Sequence, residues 1–146
     1  MIIGQYEGKV GEKARIAFPS KFREELGDNL TLTKGLENNL LVLSEKNWNT
    51  LLEGTEGKPF TDKNTRDMQR FLLGNASEVT LDGKGRFVIP EYLRVHAGLQ
   101  EEEEVVFAGI SRFVELWSKK NWEDQQLRLE NNIESIAEKL TKEKEM

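Results

Sequence analysis

The sequence predicts an α+β fold in which one ββαββα unit is used twice and the two copies share a single core. Three observations predict it. At an offset of 71, Lys13-Ala14-Arg15-Ile16 falls on Lys84-Gly85-Arg86-Phe87, Pro19 on Pro90, Phe22 on Leu93, Arg23 on Arg94 and Gly27 on Gly98. After a three-residue insertion, at offset 74, Gly35 meets Gly109 and Ser44-Glu45-Lys46-Asn47-Trp48 meets Ser118-Lys119-Lys120-Asn121-Trp122. Each copy, moreover, is too short to bury a good core alone, so strands of both copies are expected to interleave around a pseudo-twofold axis and cover each other's edges.

The elements follow in order. Alternating apolar residues place strands at 5–10 and 15–18, matched by 76–81 and 86–89. Pro19 and Pro90 open short helices that bury Phe22 and Leu26, or Leu93 and Ala97, and Gly27 and Gly98 stop them. Strands at 30–33 and 40–43, matched by 105–108 and 114–117, flank glycine turns, and Ser44 or Ser118 then caps a helix. Residues 54–59, Gly-Thr-Glu-Gly-Lys-Pro, are the clearest linker, followed by a connecting helix with Met68, Phe71 and Leu72 on one face and Gly74 at its end. Past Trp122, the positions Gln126, Leu129, Ile133, Ile136 and Leu140 mark one stripe of a long charged helix, expected to pack on its own subunit. The organisation is therefore repeat one at 5–47, a connecting helical segment at 48–75, repeat two at 76–119 and a helical tail at 120–146.

Composition narrows the function. With 146 residues, 32% charged and 37% hydrophobic, the chain fits one compact unit or two very small ones. No run approaches the ~18 apolar residues of a membrane span, and the first residues lack a signal-peptide pattern, so a cytoplasmic protein is expected. Zero cysteines and the single His96 leave no thiolate zinc site, cysteine nucleophile or histidine triad. Nucleotide-binding loops and a nucleophile elbow are likewise missing, so no enzyme, cofactor, metal or small-molecule substrate is expected. His96 is given no site role. Trp48, Trp117 and Trp122 are expected as core or interface anchors.

The net charge of −5 argues against a nucleic-acid partner until its distribution is considered. Residues 101–146 hold seven basic and twelve acidic groups, whereas Lys9, Lys13, Arg15, Lys21 and Arg23 face only Glu12 within 9–23, and Lys84, Arg86 and Arg94 face only Glu91 within 84–94. Asp82-Gly83-Lys84-Gly85-Arg86 supplies glycines for close backbone approach, a lysine point charge, an arginine fork that suits guanine or phosphate, and an aspartate that positions the turn. An ordinary hairpin turn has the same composition, but matched basic positions in both copies favour a binding surface for double-stranded DNA. Lys13, Arg15, Lys84 and Arg86 are the candidate contacts; Lys9, Lys21, Arg23 and Arg94 are candidate extensions of the patch. The Glu101–Glu104 run reads as a solvated loop.

Pro19-Ser20-Lys21-Phe22-Arg23-Glu24-Glu25-Leu26-Gly27, Asp82-x-Lys84-Gly85-Arg86-x-x-Ile89-Pro90, Leu116-Trp117-Ser118 and Gly4 together resemble the MraZ family, built from two SpoVT/AbrB-type repeats, over nearly the whole chain. The resemblance implies a swapped-hairpin β-barrel within one chain, ring-shaped homo-oligomers, and nucleoid-associated binding to short G-rich direct repeats upstream of the bacterial cell-division and cell-wall gene cluster, mostly as a repressor. It maps the family's D-x-x-x-R basic residues onto Lys13 and Arg15 and onto Lys84 and Arg86. One departure stands out: the first-repeat aspartate position is Gly11, so Arg15 is without an orienting carboxylate unless Glu12 turns toward it, and the first turn is expected to keep its attraction for phosphate rather than its sequence discrimination. A ring-forming scaffold whose charged tail recruits a protein is the alternative.

Overall fold

The computed structural model describes residues 1–145; Met146, the last residue of the expected tail, lies outside them. The first copy runs Ile2–Lys9 (β1), Arg15–Ala17 (β2), Ser20–Leu26 (α1), Asn29–Lys34 (β3) and Leu40–Ser44 (β4). Trp48–Leu52 (α2) and Lys63–Leu72 (α3) lead to the second copy, Ser77–Thr80 (β5), Arg86–Val88 (β6), Glu91–Ala97 (α4), Glu104–Ser111 (β7) and Phe113–Ser118 (β8), and Lys119–Glu145 (α5) follows. No helix among the described residues is long and apolar enough to cross a membrane.

Six strands form one antiparallel sheet in the order β1-β7-β8-β4-β3-β5. The first strand of each copy pairs with the other copy: β1 runs along β7 from Ile2↔Ser111 to Lys9↔Glu104, and β5 along β3 from Asn29↔Thr80 to Leu32↔Ser77. The two copies join at the centre, where β4 meets β8 with Val42 opposite Val114. Exchanging the copies leaves the strand order unchanged, which is the expected interleaving. The swapped-hairpin barrel expected from the sequence is not seen as a closed ring of strands among the described residues. Strands β1 and β5 are the edges of the six-stranded sheet, and β2 and β6 make a separate two-stranded sheet with Ile16 opposite Phe87.

Alternation then decides which side chains are buried. Leu30, Leu32, Leu40, Val42, Val105, Phe107, Val114 and Leu116 point from the large sheet into a cluster completed by Ile16, Phe18, Phe87 and Ile89 and by Phe22 and Leu93 of α1 and α4. Phe18 sits at its middle, its ring centroid 5.6 Å from Phe107, 6.2 Å from Phe22 and 6.3 Å from Phe87. The opposite face of the sheet, with Leu41, Leu43, Val106, Ala108 and Trp117, is buried as well. Helix α3 lies over β3, where the Thr33 hydroxyl donates to the Leu72 carbonyl, and the start of α5 lies over β7 and β8, where Trp122 meets Trp117 edge-on and donates to Gln5.

Several local signals take a different form from the one expected. Pro19 and Pro90 stand just before their helices, as N-caps, and both helices stop at positive-φ glycines, Gly27 at +81° and Gly98 at +67°. Ser118 accepts from the Asn121 N–H at 3.1 Å and caps α5, whereas Ser44 caps nothing because a tight 3-10 turn at Glu45–Asn47 intervenes before α2. The apolar stripe of α5 packs only in part: Gln126 and Leu129 are half-buried, whereas Ile133 is 53% exposed and Leu140 60%. A helix of 27 residues is about 40 Å long, while the eight-residue β7 beneath its start is about 27 Å, so the far end of α5 runs past the sheet.

Gly109 marks where the exchanged strand β1 comes closest. A Cβ there would lie 2.7 Å from the Ile3 nitrogen and 2.9 Å from the Ile2 carbonyl carbon, both backbone atoms that cannot give way independently. Gly109→Ala is expected to push β1 off β7 and to lower stability by about 1–3 kcal/mol, as overpacking does. A denaturation midpoint within error of the parent protein would show that the strand accommodates the methyl group.

Candidate nucleic-acid interface

The two-stranded sheet presents one outward face. Ile16 and Phe87 turn inward and are 1% and 3% exposed, so their neighbours Arg15, Ala17, Arg86 and Val88 all point the other way, with Arg15 opposite Val88 and Ala17 opposite Arg86. Both arginines therefore stand on one face, each one residue from the central pair. The ladder extends at both ends, because Phe18 N–H donates to the Gly85 carbonyl and Ile89 N–H to the Ala14 carbonyl. The two turns consequently flank the ribbon at either end, separated by about 14 Å of strand, rather than touching as hairpin tips. Lys13, Arg15 and Lys84 are exposed; Arg86 is partly covered.

In the second turn, Asp82 takes the positioning role the sequence assigns it. Its carboxylate accepts from Lys84 N–H at 2.8 Å, from Arg86 N–H at 3.0 Å and from the Arg86 Nε at 3.0 Å, fixing backbone and guanidinium together. These bonds, led by the one from the Arg86 backbone, hold the Asp82 carboxyl below the usual carboxylate range. Gly85 supplies the left-handed residue, at φ +74°.

The first turn has the same outline and different chemistry. Gly11 N–H donates to the Arg15 carbonyl at 2.8 Å, as Asp82 N–H does to Arg86 at 2.9 Å. Without glycine at the equivalent of Gly85, Lys13 and Ala14 adopt φ of 60° and 59°, left-handed for both, at a cost of roughly 1–2 kcal/mol each. Among the described residues the Glu12 carboxylate takes no hydrogen bond from this turn and is exposed to solvent. The carboxylate comes instead from Glu101, whose Oε1 accepts from Lys13 N–H at 3.0 Å. Glu101 thus occupies the place Asp82 holds on Lys84 N–H, but Arg15 gains no carboxylate partner.

The flanking cations divide. Lys9 pairs with Glu102 at 2.9 Å, which raises its pKa. Arg23 lies beneath the second turn, donating to Asp28 at 2.8 Å and to the Asp82 carbonyl at 3.4 Å, so its guanidinium braces the turn. Arg94, its counterpart, has a buried Nε with no hydrogen-bond partner, and Lys21 is exposed on α1. His96 donates to or accepts from no cluster; its Nε2 lies 3.0 Å from the Gly35 carbonyl. The Glu101–Glu104 run is largely solvent-exposed, as expected, and in addition Glu101 and Glu102 each bond to a residue of the first copy. Their signal was the insertion itself: between Gly98 and Gly109 the second copy is three residues longer than the first, and the added length is acidic.

Residues 1–71 and 72–144 each match the family described as "MraZ protein, putative antitoxin-like". The chain belongs to the MraZ family. Its relatives called "Transcriptional regulator MraZ" include those of Caldanaerobacter subterraneus subsp. tengcongensis and Acetivibrio thermocellus, each 44% identical, and of Alkaliphilus oremlandii, 41% identical, all over 140 residues that cover 96% of both chains. The double match of MraZ to one chain coincides with the internal repeat, one match holding the first turn and the other the second.

Proposed function

We propose that this chain is a transcriptional regulator that binds double-stranded DNA through the outward face of β2 and β6 and the two turns beside it. One observation carries the reading: in a chain of net charge −5, Arg15 and Arg86 stand on a single exposed face with Lys13 and Lys84 at its ends. A two-stranded ribbon fits the DNA major groove, which is about 12 Å wide, and the turns would then reach the phosphates on its rims. Arg86, braced by Asp82, suits guanine edges; Arg15, unbraced, suits the backbone. The relatives' shared name supports regulation as the role.

The finer form of the proposal is a repressor, cytoplasmic and nucleoid-associated, that binds G-rich direct repeats upstream of the cell-division and cell-wall genes as a ring. One subunit offers few phosphate contacts, so spaced copies on repeated sites would raise affinity by avidity. Selection of genomic fragments with the pure protein, with its mass in solution measured in parallel, tests this. Enrichment of repeated G-rich sites supports it; oligomers that select no sequence would favour a scaffold. On an enriched fragment, Asp82→Ala is expected to lower the ratio of selected to mixed-sequence affinity about tenfold, because Arg86 loses its aim.

A further inference from the structure

We infer that Glu101 is a positioning residue for the DNA-contacting first turn, supplied by the second copy to replace the carboxylate that Gly11 lacks. The inference rests on the DNA-binding reading above. It starts from an equivalence of hydrogen bonds: Lys84 N–H donates to Asp82 at 2.8 Å within its own turn, and Lys13 N–H donates to Glu101 at 3.0 Å across 88 residues. Neighbouring contacts hold the glutamate in place. Glu102 N–H donates to the Val10 carbonyl, Val10 N–H donates to the Glu103 carbonyl, and the Glu102 carboxylate pairs with Lys9, so the acidic loop is laced to the residues that enter the first turn.

The turn needs such a hold. Lys13 and Ala14 are both left-handed without being glycine, and a conformation of that kind persists only when its surroundings enforce it. Released, Lys13 and Arg15 would sample several backbone states and lose their fixed spacing from Lys84 and Arg86. The role also resolves an apparent contradiction of charge. A carboxylate beside a cationic DNA-binding loop opposes binding through space, so its presence there is explained by what it does to the backbone.

The sign of a substitution separates these effects. Glu101→Gln keeps an oxygen acceptor for Lys13 N–H and removes the charge; Glu101→Ala removes both. Mobility shifts on a genomic fragment selected by the parent protein are expected to show Glu101→Ala binding about three- to tenfold more weakly than the parent, and Glu101→Gln binding at least as tightly as the parent. In parallel, the Lys13 amide is expected to exchange with solvent about tenfold faster in the Ala variant only, with the Lys84 amide unchanged. If the Ala variant binds as tightly as the Gln variant, or Lys13 exchange does not change, the inference is overturned. Lys13→Ala and Arg15→Ala provide the separate check on the reading beneath it: should both bind as the parent does, the DNA-binding site itself is wrong, whereas weakening by these two with no Ala-against-Gln difference at position 101 removes Glu101 alone.

Discussion

Replacing Lys13, Arg15, Lys84 and Arg86 together by alanine is expected to abolish preferential DNA binding while leaving the fold intact. All four side chains project away from the core, and among the described residues the one side-chain bond lost inside the protein is that of the Arg86 Nε to Asp82. The one arginine assigned to a base edge, Arg86, corresponds to about 1–3 kcal/mol of discrimination. Each phosphate contact removed flattens the dependence of log affinity on log salt by about 0.9, so a variant missing two to four contacts has a slope shallower by about 2–4 units. Titrations over a range of salt concentrations measure both quantities at once. A folded variant with the parent's affinity and slope would place the nucleic-acid surface elsewhere, and the projecting part of α5 would then be the next face to probe.

Phe18→Ala is expected to have the largest effect on stability. Its ring joins Phe22 of the first helix, Phe87 of the partner ribbon strand and Phe107 of the large sheet, and it is 4% exposed. Removing a buried phenylalanine costs about 3–5 kcal/mol, a large part of the 5–15 kcal/mol that holds a typical domain together. The midpoint of thermal unfolding is expected to fall by roughly 6–20 °C, at about 2–4 °C per kcal/mol for a chain of this size. A loss below about 1 kcal/mol would mean that the ribbon does not rest on this ring.

Much of this was legible in the residues. Matched Pro19 and Pro90, Gly27 and Gly98, and Arg15 and Arg86 revealed the duplication, and duplication of a unit too small to fold alone implied interleaved strands. The aspartate of the second turn could be assigned its role because its partners lie within four residues. Glu101 could not, since its partner is 88 residues away and nothing in a run of four glutamates distinguishes the one that reaches a backbone N–H. The expected swapped-hairpin barrel is matched in its interleaved strands, while its closure is not, and alternation of apolar residues carries no information about whether β1 and β5 hydrogen-bond to the ribbon. The far part of the α5 stripe, with Ile133 and Leu140 exposed, has a sequence that would equally suit a packed helix, so the extent of the sheet beneath it decides the outcome.

The unequal turns have a consequence for orientation. Two identical halves related by a twofold axis would face a palindrome and could not tell its left from its right. Here both halves belong to one polypeptide, so mutation can change one without the other, and one end carries an aspartate-clamped arginine while the other carries a free one. On the proposed DNA-binding reading, such a subunit would have a head and a tail with respect to the double helix, and a row of them in the same sense would match a tandem array better than an inverted one.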